Sequence, residues 1–222
     1  MFRSNLSSIY NINRIYNINL SVLTNILPNS FINTDNLLYN MKKITIKEIT
    51  FIALFAALTG VGGFISIQLP FTPTPITLQT LFVLLSGIML GSMFGALSQI
   101  VYIIIGILGF PVFAQGTSGI GVLMGPTGGY LVGFIFAAYI AGLIKNKNVS
   151  AKNILALILG SIIIYVCGIV GLMSIGKLNF VQSILLGIVP FLIGDAIKIV
   201  LTVLTIRKLK VKIPLIENDR NK

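Results

Sequence analysis

The stretch Gly194-Asp195-Ala196-Ile197-Lys198 sets an acid and an amine three residues apart within a long apolar run. On a helix that spacing puts both side chains on one face, where the carboxylate can accept hydrogen bonds and the ammonium can donate them. At 1.5 Å per residue, Lys198 stands about 13 Å and Asp195 about 18 Å from the basic end of the run at Arg207. In a bilayer this places Asp195 near the centre, where an ionisable residue costs about 2.5–3.5 kcal/mol or more to insert. Two readings meet that cost. Either the pair neutralises itself as a structural element, with Lys198 partly snorkelling, or a polar cavity and its ligand complete it. These are the only charges between Glu48 and Arg207 that fall deep inside an expected span, which favours the second reading.

Catalytic chemistry has little to work with. A membrane hydrolase needs a Ser–His or Ser–Lys pair, two carboxylates or a metal. Histidine is absent, and Asp195 has no second buried acid with which to form a dyad. Lys198 with one of the serines is conceivable, but no spacing supports it. Cys167 is the single cysteine, so neither an internal disulfide nor a Cys/His metal site can form. The Gly-x-x-x-x-Gly-Lys-Ser/Thr phosphate loop is also missing, which removes that route to ATP hydrolysis. Proton-coupled transport through Asp195 remains open, and binding of a small molecule fits best.

The elements that hold this pair follow from composition. Of 222 residues, 55% are hydrophobic and 9% charged, against about 25% charged in soluble chains; this is a polytopic membrane protein. No charge occurs from Ile49 to Ile144. A hydrocarbon core about 30 Å thick takes roughly 20 helical residues, so that run holds several spans, divided by proline and glycine. The reading is all-α with six transmembrane helices: about Lys47–Gln68, Thr77–Leu90, Phe94–Leu108, Thr127–Ile144, Asn153–Ile175 and Gln182–Arg207. Gly91-Ser92 is the tight connection between the second and third, which are short enough to require tilt or local thinning.

Lys+Arg outnumber Asp+Glu by 16 to 5, a net charge of +11. In a soluble protein this would suggest nucleic acid; here the basic residues flank apolar runs and suit an anionic cytoplasmic leaflet. With both termini cytoplasmic, Lys42, Lys43 and Lys47, then Lys145, Lys147 and Lys152, then Arg207, Lys208, Lys210 and Lys212 all lie inside, and only Lys177 lies outside. That is the positive-inside pattern of an even number of spans. It puts the irregular connections 69–76 and 109–126 on the outer face, capping a ligand cavity. Seven of the 21 residues from Gly109 to Gly129 are glycine, and Phe110, Val112, Phe113, Ile120, Val122, Leu123 and Met124 suit a folded-in loop better than a solvated one.

Residues 1–40 differ from the rest, with ten asparagines and no stretch able to span a bilayer. They read as a disordered extension or as sequence upstream of the true start at Met41-Lys42-Lys43, and the second is favoured. The membrane domain is then 41–222. In the first helix, Ala53 and Ala57 line one stripe that another helix can approach closely, a pattern that more often marks internal packing than a docking face.

Four motifs occur in order: Pro73-Thr74-Pro75-Ile76-Thr77-Leu78-Gln79, Gly109-Phe110-Pro111-Val112-Phe113-Ala114, Gly125-Pro126-Thr127-Gly128-Gly129-Tyr130 and Gly194-Asp195-x-x-Lys198. From about Met41 to Arg207 the chain resembles the BioY family, the biotin-specific substrate-binding (S) components of energy-coupling-factor transporters. The resemblance implies a six-helix protein of the prokaryotic plasma membrane that captures biotin from outside under its first and third loops. It implies no enzyme activity and no cofactor of its own. The implied partners are a transmembrane coupling (T) protein and two ABC ATPase subunits that use the ATP, with Ala53 and Ala57 matching the alanine pattern of the docking helix.

By the same resemblance, Asp195 accepts from a ureido N–H of biotin, and Lys198 donates to the ureido oxygen or pairs with the carboxylate. Thr117 falls where the family's loop supplies a polar ureido contact, flanked by Ser118 and Gln115, and Gln79 ends the first-loop motif. Backbone N–H groups from Gly116 to Gly119, or at Gly128 and Gly129, are candidates for the anion, and Phe113 and Tyr130 wall the apolar chain. One departure stands out: some relatives carry an arginine just after Gly-Gly-Tyr, and this chain has Leu131. The carboxylate must then meet Lys198, backbone N–H groups or water. Another vitamin or a biotin precursor is the alternative ligand, and a stand-alone proton-coupled carrier the alternative mechanism.

Overall fold

The structure, a computed structural model, describes residues 44–145 and 151–209. The expectations for residues 1–40, for a start at Met41 and for Lys42, Lys43, Lys147, Lys210 and Lys212 fall outside the described residues.

Helix α1 runs Ile46–Phe64. A capping box fixes its start: the Glu48 N–H donates to Thr45 Oγ1 at 3.3 Å, and the Thr45 N–H donates to Glu48 Oε2 at 2.7 Å, so two otherwise orphaned donors are satisfied. The helix ends at Phe64 instead of Gln68 because the chain turns extended. Strand β1 (Ser66–Ile67) pairs antiparallel with β2 (Ile76–Thr77), in the register Ser66↔Thr77 and Ile67↔Ile76. This short ladder, which the sequence did not disclose, pinches the proline-rich first loop at its base. Pro70, Pro73 and Pro75 lack an N–H and cannot extend it.

Helices α2 (Gln79–Leu90) and α3 (Ser92–Ile107) are joined through Gly91 alone. Its φ of 89° lies in the left-handed region that glycine adopts freely. The following loop is partly folded, with a 3₁₀ turn at Ala114–Gly116 and the four-residue helix α4 at Ile120–Leu123. Then come α5 (Gly128–Ile144), α6 (Ala151–Ser174), α7 (Phe180–Gly187) and α8 (Leu192–Leu209).

The expected sixth helix, Gln182–Arg207, is not continuous. It is broken between α7 and α8 by a 3₁₀ turn at Val189–Phe191. The cause is Pro190, which has no N–H for the helical ladder and whose ring clashes with a carbonyl one turn back. The break places Asp195 in the first turn of α8, where the partial positive charge of a helix start favours a carboxylate. Asp195 therefore belongs to a helix beginning, not to a helix interior.

Helices α1 and α6 and the apolar run Phe180–Ile206 are long and apolar enough to cross a membrane, and α2, α3 and α5 are shorter apolar helices of 12, 16 and 17 residues. At 1.5 Å per residue these three are about 18–26 Å long, less than the roughly 30 Å hydrocarbon core. Ile158, Ile162, Val166 and Val170 of α6 are exposed, as are Ile193, Ile197, Val200 and Leu204 of α8. Their helical spacing makes apolar outer stripes suited to lipid. The inner packing is tight: Ala137, Ala138 and Ala141 of α5 are fully buried.

Candidate functional site

A cavity of about 370 Å³ opens among α2, α5, α6, α8 and the two long loops. Its size is within the range of small-molecule sites. Asp195 and Lys198 both line it and are only 7% and 6% exposed. Lys198 Nζ lies 2.7 Å from Asp195 Oδ1 and donates to Thr80 Oγ1 at 3.0 Å. The Thr80 hydroxyl in turn donates to Asp195 Oδ1 at 3.5 Å, and the Tyr165 hydroxyl donates to Asp195 Oδ2. Three helices thus converge on one carboxylate: α8 carries the acid and amine, α2 brings Thr80 and α6 brings Tyr165.

This arrangement holds a buried charge pair in place without exhausting it. An ammonium has three protons and a carboxylate about four acceptor positions. Lys198 uses two donors, on Asp195 and Thr80, while Asp195 accepts from Lys198, Thr80 and Tyr165. By that count one donor of Lys198 and one acceptor position of Asp195 remain unused, and both residues line the cavity. Among the described residues, no group of three or more His, Cys, Asp or Glu side chains could hold a metal.

The other walls are mostly apolar. Phe113, Leu131, Phe134, Ile164 and Phe191 line the cavity and are buried. Phe113 meets Tyr102 edge to face, with centroids 5.6 Å apart and planes at 81°, a favoured aromatic geometry. Tyr130 also lines the cavity, and its hydroxyl donates to the Gly187 carbonyl at 2.9 Å. It thereby ties α5 to the end of α7, directly before the helix break. Gln79 faces the cavity, but its amide nitrogen donates to the Tyr102 hydroxyl and its Oε1 accepts from Thr77 Oγ1 at 3.3 Å.

The loops meet over this space. Gln115 Nε2 donates to Gln68 Oε1 at 3.1 Å, and Gln68 Nε2 donates to the Thr72 carbonyl at 2.8 Å. Gln115 holds a left-handed backbone, φ 60° and ψ 24°, which is uncommon for a residue with a Cβ. Thr117 lines the cavity, and its hydroxyl donates to the Ala114 carbonyl at 2.9 Å.

The expected backbone anion sites are a correction. The N–H groups of Gly116, Thr117 and Gly119 donate to the carbonyls of Phe113, Ala114 and Gly106, and that of Gly128 donates to Gly125. These four amides are already engaged, three within the loop and that of Gly119 on the end of α3. Gly116, Ser118, Gly128 and Gly129 do not line the cavity. Gly129 is instead a packing residue, because a Cβ there would lie 2.2 Å from the Cys167 carbonyl oxygen and 3.0 Å from Gly171 Cα. Ser118 is half-buried in the loop. Asp195, Lys198, Gln79, Phe113, Gln115, Thr117 and Tyr130 all line this one cavity. Thr80 and Tyr165 were missed. Thr80 directly follows the Gln79 motif, and Tyr165 carries a hydroxyl in the middle of a long apolar helix, and these are the signals that point to them. Ala53 and Ala57 are exposed on the outer side of α1.

Comparison with known proteins shows the family. A sequence model of the BioY family matches residues 38–214. The chain belongs to the BioY family. The probable biotin transporter BioY of Pyrococcus horikoshii is 40% identical over 164 residues, covering 74% of this chain and 96% of that protein. The biotin transporter BioY of Thermotoga maritima is 42% identical over 163 residues, covering 71% and 92%. Among solved structures, the S-component for biotin from an ECF-type ABC transporter superposes with a TM-score of 0.68 at 26% identity, covering 76% of this chain and 95% of that one. As a BioY-family chain with several apolar helices, the protein is a multi-pass membrane transport protein of the prokaryotic plasma membrane and not an enzyme.

Proposed function

We propose that this protein captures biotin at the outer face of the membrane as the S component of an energy-coupling-factor transporter. One observation carries the reading: a buried Asp195–Lys198 pair, braced by Thr80 and Tyr165 and with hydrogen-bonding capacity to spare, lines a cavity otherwise walled mostly by apolar side chains. A cyclic urea presents the complement, an N–H for Asp195 next to a carbonyl oxygen for Lys198. The thiophane ring and valeryl chain suit Phe113, Tyr130, Leu131 and Phe134. Gln115 and Thr117 on the glycine-rich loop, together with Gln68, face the ligand from the lid.

Six spans with cytoplasmic termini follow from adding the three shorter apolar helices to the three long ones and from the positive-inside placement of the basic residues. The lid then faces outward. The T protein docks on the exposed Ala53 and Ala57 side of α1, where small side chains permit close helix approach, and the ATPases drive reorientation and release inside. Titration of purified protein with biotin, beside a panel of other vitamins and biotin precursors, tests the reading. Saturable binding of biotin at the tightest affinity in the panel is expected. Tighter binding of another compound overturns the ligand assignment, and uptake that survives without any ATPase partner overturns the coupling.

A further inference from the structure

Given biotin capture, the reading on which this inference rests, the charges in the cavity decide which relatives of the vitamin it accepts. Among the described residues lining the cavity, Asp195 and Lys198 are the charged ones, and they sit 2.7 Å apart. The site is therefore neutral overall. A cation already paired at that distance presents a dipole to anything farther away, and the pull of a dipole falls off more steeply than that of a lone charge. Four of the amides expected to form an anion nest, those of Gly116, Thr117, Gly119 and Gly128, donate to backbone carbonyls of this chain instead. Leu131 adds an apolar side chain to the wall.

What the lid offers is neutral and ambivalent. Gln68 and Gln115 are exposed carboxamides joined to each other at 3.1 Å, and Thr117 is a hydroxyl. A carboxamide carries two donors and an acceptor and reverses their order by turning over, and a hydroxyl both donates and accepts. Gln68 and Thr117 spend their donors on the carbonyls of Leu69, Thr72 and Ala114, which leaves one N–H of Gln115 and neutral acceptor oxygens to meet the tail, with no fixed charge to favour a carboxylate over an amide.

We propose that the site selects its ligand by the bicyclic ureido head and the apolar chain and not by the charge of the tail, so that neutral-tailed biotin derivatives are ligands of the same class as the acid. The test titrates the purified full chain, in detergent or nanodiscs, with biotin and separately with biotinamide, its primary carboxamide. The two dissociation constants are expected to agree within tenfold. If biotin binds and biotinamide is weaker by more than tenfold, the carboxylate is recognised as an anion and this proposal is overturned while biotin capture stands. If neither binds, the biotin-capture reading falls and this inference falls with it.

Discussion

Replacing Asp195 with alanine removes the acceptor on which three helices converge. In the free protein the change strands Lys198, 6% exposed, with Thr80 as its remaining hydrogen-bond partner, and it leaves the Tyr165 hydroxyl without its acceptor. Breaking a buried ion pair by removing one partner costs about 3–5 kcal/mol, so a clear drop in melting temperature is expected. Binding loses a ligand hydrogen bond to a charged acceptor, about 1.5–3 kcal/mol, which corresponds to a roughly 10- to 150-fold weaker dissociation constant. The two effects separate in the double variant Asp195→Ala/Lys198→Ala. Removing both charges recovers most of the thermal stability, while affinity stays low or falls further. Thermal melting paired with isothermal titration of each variant reads both quantities. An Asp195→Ala protein that is folded and binds biotin within threefold of the unaltered chain would show that the pair is structural and the site lies elsewhere.

Other changes test the surrounding parts. Tyr165→Phe deletes the hydroxyl that holds Asp195 Oδ2; a loss of about 1 kcal/mol, or roughly fivefold in affinity, is expected in the same titration. Gly129→Ala forces a methyl against the Cys167 carbonyl. Overpacking of this kind costs about 1–3 kcal/mol, so the melting temperature should fall while the folded fraction binds biotin normally; normal stability with lost binding would return Gly129 to the ligand site. The paired change Ala53→Leu/Ala57→Leu alters an exposed face of α1. Affinity for biotin should hold, and co-purification with the coupling protein should fail. Retained co-purification would place the docking surface on another helix.

How much of this site was legible beforehand depends on the range over which each cause acts. Asp195 and Lys198 could be placed on one face because three-residue spacing is a property of the helix itself, and their burial could be argued because a bilayer penalises charge irrespective of fold. Gly91 and the proline-rich first loop likewise act within a few residues. The run from Gln182 reads as one helix because it is largely apolar apart from Asp195 and Lys198, but Pro190 divides it, and only the backbone path reveals that Asp195 opens a new helix.

Amino-acid sequence by itself determined the class of this protein: an apolar, sparsely charged chain with one acid–amine pair deep in a span, because composition and insertion cost need no knowledge of neighbours. The tertiary structure decided which groups meet that pair. Thr80 reaches it across 118 residues of chain and Tyr165 reaches Asp195 across 30, and helix packing, not local spacing, sets such distances. It also decided between two uses of glycine: Gly128 and Gly129, adjacent to a cavity residue in sequence, serve close helix contact, since whether a missing Cβ admits a ligand or a neighbouring backbone depends on what folds against it.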